Sequence, residues 1–366
     1  MATDTLHPFM RDDARGETSM RGDAPEVTKV TIVLTTSPCR SHPSTMLIEE
    51  TVSSIARHAG ASPATGTRLL VVCDGVKVRA KSKFRSGQVD EDGAARYEAY
   101  LDRLAWLARD ETGPLRGAEI LRLEERHGFG HALKRGVMRV TTPYVLVAQH
   151  DRVFTRDAPM RAVLDIMETD ESVACVGFPT KTTTSHDKSH RSRFPGYGAF
   201  DLPRRSYDEH PGLELVPLTQ FYDSMHVART SFYLSFVYGQ KRWANLPVGA
   251  FIEDTLGQKM LEDLRRNGPS AHAKYRTFIV EDDDKTPMAG HIDGHDPIDP
   301  TSPAFARRFS RAPVRSESYW RLRPDVVGAA RAVERLPSLG HFTERARYLR
   351  SISREDLLPP PSSSRN

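Results

Sequence analysis

The apolar positions of this chain fall into short, dense runs separated by stretches where apolar residues recur every three or four positions. Val30 to Thr35 is a compact β-branched run, Arg68 to Cys73 a second, Ile120 to Leu123 a third and Tyr144 to Ala148 a fourth. Each has strand length and no polar alternation, the pattern of strands buried on both faces of a parallel sheet. Between them Ile48, Val52, Ile55, Ala56 and Ala59 share one helical face, with Ser44 as the expected N-cap and Gly60 as the stop. Tyr97, Leu101, Leu104, Ala105 and Ala108 mark a second helix. Ala158 to Glu168 reads as a third, followed by a strand at Val173 to Phe178. Strands and helices alternating at this spacing predict a βαβ sheet with Rossmann-type layering.

The pattern breaks at Thr180. From there to Pro217 the chain is rich in threonine, histidine, proline and basic residues, too long for an ordinary connection, and a mobile functional loop is expected. A basic loop from Lys77 to Gly93 is expected as well. Regular structure should return at the aromatic run Phe232 to Tyr238 and in a helix starting near Glu253, where Leu256, Met260, Leu261 and Leu264 keep helical spacing. Residues 1–27 are polar and read as disordered, 28–300 as one α/β domain, 301–357 as a basic helical extension and 358–366 as a disordered tail.

Composition narrows the class. Over 366 residues, 38% are hydrophobic and 27% charged, enough apolar material for a large core. No apolar run approaches the ~18–20 residues needed to span a bilayer, and the N-terminus has no secretory apolar region. Cys39, Cys73 and Cys175 read as free, packed thiols without metal-ligand spacing, which favours a cytoplasmic protein. The net charge of +4 is uneven: residues 301–350 hold eleven arginines against four acidic residues, 11 − 4 = +7. That region reads either as a solvated face of terminal helices or as a surface toward an anion such as a phosphorylated acceptor, acidic glycan, lipid headgroup or nucleic acid. Its aromatics are not regularly interleaved, so a nucleic-acid platform does not follow.

The chemistry gathers at strand ends. The fourth run stops abruptly in Gln149-His150-Asp151-Arg152, at the carboxyl end of a strand, where open α/β sheets place their ligands. A carboxylate there suits a metal or a phosphorylated ligand. Upstream, His127-Gly-Phe-Gly-His-Ala-Leu-Lys-Arg-Gly136 is a glycine-bearing turn opening a short basic helix, whose amino end could receive a diphosphate.

These two segments resemble the core of the family 2 glycosyltransferases of GT-A fold, in which a Gly-x-x-x-Ala-x-Asn-x-Gly helix precedes a strand ending in Asp-x-Asp. Here the helix carries Gly128, Ala132, Lys134 and Gly136, and the strand end is Gln149-His150-Asp151. The resemblance covers about residues 28–265 and implies a GT-A-like, three-layer α/β sandwich with a mostly parallel central sheet. It implies a nucleotide-diphosphate sugar held by Thr36, Ser37, Asp74, His131, Lys134, Gln149 and Asp151. Mn²⁺ or Mg²⁺ would sit on Asp151, with His291 or His295 adding a nitrogen ligand. Two departures stand out. Lys134 replaces the family's Asn and makes the site more positive, and Gln149 replaces the first carboxylate, so metal binding should be weak without diphosphate. The i, i+4 spacing of His291 and His295 suggests a zinc helix, but Asp293 and Gly294 argue for a loop.

Phe251-Ile-Glu-Asp-Thr-Leu256 resembles the acceptor-side Glu-Asp motif at a helix start. The resemblance implies inverting transfer to an acceptor hydroxyl, with Asp254 as general base ahead of Glu253, and with Glu253, Asp223 and His226 as acceptor contacts. Gln240-Lys-Arg-Trp243 lacks the spacing of the Gln-x-x-Arg-Trp of processive relatives. Rival readings are a nucleotidyltransferase, although Ser37-Pro38-Cys39-Arg40 lacks the glycines such a loop needs, and a non-catalytic GT-A-like module binding a glycan or phosphorylated partner. Glycosylation of a nucleic acid would use the C-terminal arginines.

Overall fold

The computed structural model describes residues 29–84, 87–186, 188, 202–239 and 246–292. The expected disordered end 1–27, the basic extension 301–357, the tail 358–366 and His295 lie outside the described residues.

The four expected strands form as read: β1 (Val30–Thr36), β2 (Arg68–Cys73), β5 (Glu119–Arg122) and β6 (Tyr144–Gln149). The Lys77–Gly93 stretch is not wholly loop, because β3 (Lys77–Val78) and β4 (Gln88–Val89) pair as a small parallel ribbon. After β6 come β7 (Arg152–Phe154), β8 (Cys175–Gly177), β9 (Arg205–Ser206), β10 (Leu213–Pro217), β11 (His226–Arg229), β12 (Thr277–Asp282) and β13 (Ala289–His291). Nine of these make one sheet, in the order β5-β2-β1-β6-β11-β8-β12-β10-β9. The β5-β2-β1-β6 half is wholly parallel. Only β11 and β10 run against the common direction, so the sheet is mostly parallel, as expected. The Thr180–Pro217 segment corrects the loop expectation, because β10 pairs with β12 over five residues and carries β9 on its outer edge.

Helices α1 (Met46–Ala59), α2 (Glu91–Leu107) and α4 (Met160–Thr169) cover one face of the sheet, and α3 (Phe129–Val137) and α5 (Gln258–Asn267) the other. Strand alternation explains this layering. Ile32 and Leu34 of β1 point into the first core with Ile48, Tyr100 and Leu104, whereas Val33 points into the second with Leu133 and Val137. All eight are at most 1% exposed, and full burial of an aliphatic side chain of this kind is worth about 1.5–3 kcal/mol. The cap of α1 is Thr45, not Ser44, and Gly60 closes the helix in the left-handed region at φ 67° as expected.

Two features position the site. The β-face of α3 lies so close to the sheet that a Cβ on Gly136 would come within 2.6 Å of Val33 and 2.7 Å of Val72. Wide, π-type turns at Phe232–Val237 and Glu253–Gly257 replace ordinary α-helix where the aromatic run and the Glu-Asp motif sit. Such turns recur at functional sites because they shift side chains out of helical register. Among the described residues, no helix is long and apolar enough to cross a membrane.

Candidate functional site

The parallel half of the sheet aligns Thr35 with Val72 and with Gln149, so the residues following β1, β2 and β6 open on one edge. At the β6 end the Gln149 side-chain amide donates to the Asp223 carbonyl at 2.8 Å. The Asp223 amide donates to Glu253 Oε2 (3.2 Å), and the Glu253 amide returns a bond to Asp223 Oδ2 (2.9 Å). One short chain of contacts thus joins the strand end, the turn before β11 and the Glu-Asp motif. Asp223 is 4% exposed, and its other oxygen is buried without a partner among the described residues. Burial, reinforced by the charges of Glu253 and Asp254, raises its pKa well above the usual aspartate value. Asp254 projects from the same turn and is exposed.

Two residues on, Asp151 Oδ2 is 2.9 Å from His291 Nε2 on β13, and Oδ1 is buried without a partner. The β13–β7 ribbon brings these residues together from 140 positions apart. Burial opposes its charge, yet His150, His291 and Arg152 hold the Asp151 carboxyl down to about 2. An anionic oxygen with no partner beside an imidazole fits a hard divalent cation such as Mn²⁺ or Mg²⁺. Among the described residues no group of three His, Cys, Asp or Glu side chains could hold a metal.

The other expected donor contacts are engaged within the protein. Thr36 is 2% exposed, and its hydroxyl pairs with Tyr100 at 2.9 Å. Both oxygens of Asp74 accept backbone amides, Oδ1 from His127 at 2.7 Å and Oδ2 from Gly128 at 2.8 Å. The carboxylate therefore fixes the turn into α3, and burial pushes its pKa up despite those donors. The Gly130 amide donates to the Ala250 carbonyl at 3.3 Å. The α3 amino end, expected to cradle a diphosphate, thus has three of its amides spent on Asp74 and Ala250. This follows from how closely the chain at Gly249 approaches: a Cβ on Gly128, at φ +80°, would lie 2.2 Å from the Gly249 Cα. His131 donates through Nε2 to the Leu246 carbonyl at 2.7 Å, and Lys134 sits 5.6 Å from the centre of the Tyr238 ring. Ser37 is half-buried in the loop after β1.

His226 departs furthest from its expected role. It is 1% exposed. Its Nδ1 donates to the Ser224 carbonyl and its Nε2 accepts from the Tyr233 hydroxyl, both at 2.6 Å. Burial lowers its pKa to about 4, so it is a neutral core group with no nitrogen left for an acceptor.

Sequence reasoning also missed a cluster after β1. The His42 ring stacks on Tyr100, with centroids 3.9 Å apart, and accepts the Cys39 amide at Nδ1 (3.2 Å). His150 lies beyond it, with the two imidazole centroids 6.2 Å apart. Cys73 and Cys175 are buried inert thiols as expected, and burial pushes Cys73 up to about 12. Cys39 is different. Burial works against its ionisation, yet His42 and His150 bring it down to about 5. The Cys39-x-x-His42 spacing was the available signal.

Residues 107–233, about a third of the chain, match the model of the family described as Glycosyl transferase family 2. The match runs from the end of α2 to the turn after β11 and is to the class the resemblance implied. No curated protein matches the chain in a sequence comparison. Among solved structures it is similar to S. aureus TarS 1-349, at 12% identity and a TM-score of 0.37, covering 69% of this chain and 58% of that one. It is also similar to glucosyl-3-phosphoglycerate synthase from Mycobacterium tuberculosis in complex with Mn²⁺, uridine-diphosphate and glucosyl-3-phosphoglycerate. That likeness has 15% identity and a TM-score of 0.37, over 80% of this chain and 84% of the other. The mannosyltransferase PcManGT from Pyrobaculum calidifontis, in complex with GDP-Man and Mn²⁺, is 15% identical with a TM-score of 0.38, over 91% and 81%. Likenesses this remote carry no argument about this site.

Proposed function

We propose that the chain is an inverting glycosyltransferase that moves a sugar from a nucleotide-diphosphate donor to an acceptor hydroxyl. The observation that carries this reading is the Gln149–Asp223–Glu253 chain of contacts. It joins the strand end that bears Asp151 to the turn that bears Asp254, at the carboxyl edge of a parallel sheet. The match of residues 107–233 supports the same class.

In this reading Asp151 and His291 would hold Mn²⁺ or Mg²⁺ when the donor is bound. The ion supplies charge neutralisation for the departing nucleotide. Glu253 is occupied in fixing Asp223, which leaves the exposed Asp254 to take the acceptor proton as the hydroxyl attacks the anomeric carbon. Ser37 and Gln149, at the carboxyl ends of β1 and β6, are donor-binding candidates; Thr36, Asp74, His131 and Lys134 would join them only if their present partners give way. A thermal-shift comparison of uridine, guanosine and cytidine diphosphates, with and without Mn²⁺, tests the reading. Stabilisation by at least one, enhanced by metal, is expected. No shift with any of them at millimolar concentration sinks it and favours a binding module for a glycan or phosphorylated partner.

A further inference from the structure

The loop after β2 carries charge that the proposed transfer does not use. Residues 76–89 hold five basic side chains and no acidic one. The loop folds onto a turn at Gly87-Gln88: the Lys77 amide donates to the Gly87 carbonyl at 3.0 Å, and Lys83 and Gln88 exchange amide–carbonyl bonds at 2.8 and 3.3 Å. Arg126, four residues past β5, meets the same turn. A Cβ on Gly87 would lie 2.4 Å from Arg126 Nε, and a Cβ on Gly249 2.5 Å from one of its terminal guanidinium nitrogens. Both glycines are left-handed, at φ +59° and +90°, so neither position could carry a side chain without displacing the guanidinium. Arg126 is half-buried in this slot and Lys77 and Lys83 are exposed. None of the three side chains has a hydrogen bond or ion pair among the described residues. A guanidinium fork without a protein partner matches two oxygens of a phosphate, and two ammonium groups around the same turn add point charges for the same dianion.

We propose that Arg126, Lys77 and Lys83 bind a phosphomonoester carried by the acceptor; its assignment to the acceptor rests on the transfer reading, whereas the phosphate site itself does not. The site is separate from the one given to the donor diphosphate. β5 and β6 stand three strand spacings apart in the sheet, about 14 Å at ~4.8 Å each, which divides Arg126 from Asp151. Gly249 links the cluster to the other half of the cleft. It precedes Asp254 by five residues, at most about 18 Å of chain. An acceptor anchored by its phosphate on Arg126 therefore extends toward the proposed base. A half-buried fork admits a terminal phosphate in preference to the diester backbone of a nucleic acid, for which residues 76–89 offer Phe84 as their single aromatic.

The test is a ligand-observed NMR titration of the full chain at neutral pH with glucose 6-phosphate, with glucose and with a short oligothymidylate. All are run in EDTA, so that no divalent cation can bridge a phosphate to Asp151. Glucose 6-phosphate should bind and glucose should not. Arg126→Gln should weaken that binding at least about tenfold, and Arg126→Lys, which keeps the charge but not the fork, should recover only part of it. The Lys77→Gln, Lys83→Gln double variant should weaken it about threefold or more, and keeps the test decisive should Arg126→Gln fail to fold. Glucose binding as tightly as its phosphate, unchanged affinity in the folded variants, or oligothymidylate binding more tightly than glucose 6-phosphate would each overturn the proposal, the last in favour of a nucleic acid. Failure of every nucleoside diphosphate to bind, with sugar-phosphate binding intact, would strike the transfer reading and leave this site standing; the reverse result would strike this site alone.

Discussion

The backbones of Asp223 and Glu253 are locked to one another's side chains: each carboxylate accepts the other's amide, at 3.2 and 2.9 Å. Thirty residues separate them in sequence, yet the pair turns two loops into one rigid acidic wall beside Gln149. The arrangement also divides labour between adjacent acids. Glu253 is committed to structure, whereas Asp254, one position further round a wide turn, faces solvent.

Asp254→Asn should therefore leave nucleotide affinity near wild type and lower kcat by about 10²–10⁴, the usual worth of a positioned proton acceptor. Glu253→Gln should instead cost stability and acceptor KM, because it weakens the tie to Asp223. Steady-state kinetics with nucleotide titrations separate the two. If Asp254→Asn retained full activity, the base would be another group.

Gly128→Ala should be strongly destabilising. The residue sits at φ +80° and a Cβ would meet the Gly249 backbone at 2.2 Å, where nothing flexible can yield. The left-handed backbone alone costs about 1–2 kcal/mol, and the clash adds to it. For a chain this size, a loss of about 2 kcal/mol lowers the melting midpoint by about 2–4 °C. An unchanged midpoint by calorimetry would mean that the 246–252 segment does not lie across α3 in solution.

The parallel half of the fold was legible in the sequence because its strands are buried on both faces and so read as uninterrupted apolar runs. β11 was not, because His226-Val-Ala-Arg229 is four residues long and begins and ends in polar side chains that find partners only through tertiary contacts. β10 was lost for a related reason. Leu213-Glu-Leu-Val-Pro217 lies in a stretch dominated by proline and charge, and its pairing partner β12 is over sixty residues away. Sequence named Gln149, Asp151, Asp223, Glu253 and Asp254 as candidates but could not say which polar groups the fold itself would consume. Asp74 and His226 looked free on paper and are spent on backbone amides and on Tyr233. Cys39 was read by residue type alone, as a packed thiol, because His150, which with His42 lowers its pKa, follows another strand.

His226 predicts an acid-side loss of stability. Burial depresses its pKa from 6.5 to about 4, so the folded state favours the neutral ring. Stability from this group is fully present above the unfolded value and is lost as pH falls from about 6.5 toward 4, an effect on the order of 3 kcal/mol. His272, lowered by burial to about 4 as well, acts in the same window. Denaturant midpoints between pH 7 and 4 should fall, and the fall should be shallower in His226→Gln at the expense of some stability at pH 7. Equal slopes in the two proteins would place the titration elsewhere.

The metal prediction follows from Asp151. Its carboxyl is held at about 2 by His150, His291 and Arg152, so it is ionised across the neutral range. Yet among the described residues its side chain has one hydrogen-bond partner, His291, and Gln149 brings no charge to the strand end. Calorimetric titration of Mn²⁺ into the protein alone should therefore give little heat, and the same titration with a nucleoside diphosphate present should give a clear binding isotherm. Asp151→Asn should abolish that isotherm, and His291→Gln should weaken it by at least about tenfold, equivalent to ~1.4 kcal/mol. Tight binding to the protein alone would mean that ligands beyond Asp151 and His291 exist. Unreduced transfer in excess chelator would mean that cationic side chains carry the charge neutralisation instead, and Asp151 would then serve to hold His150 and His291 in place.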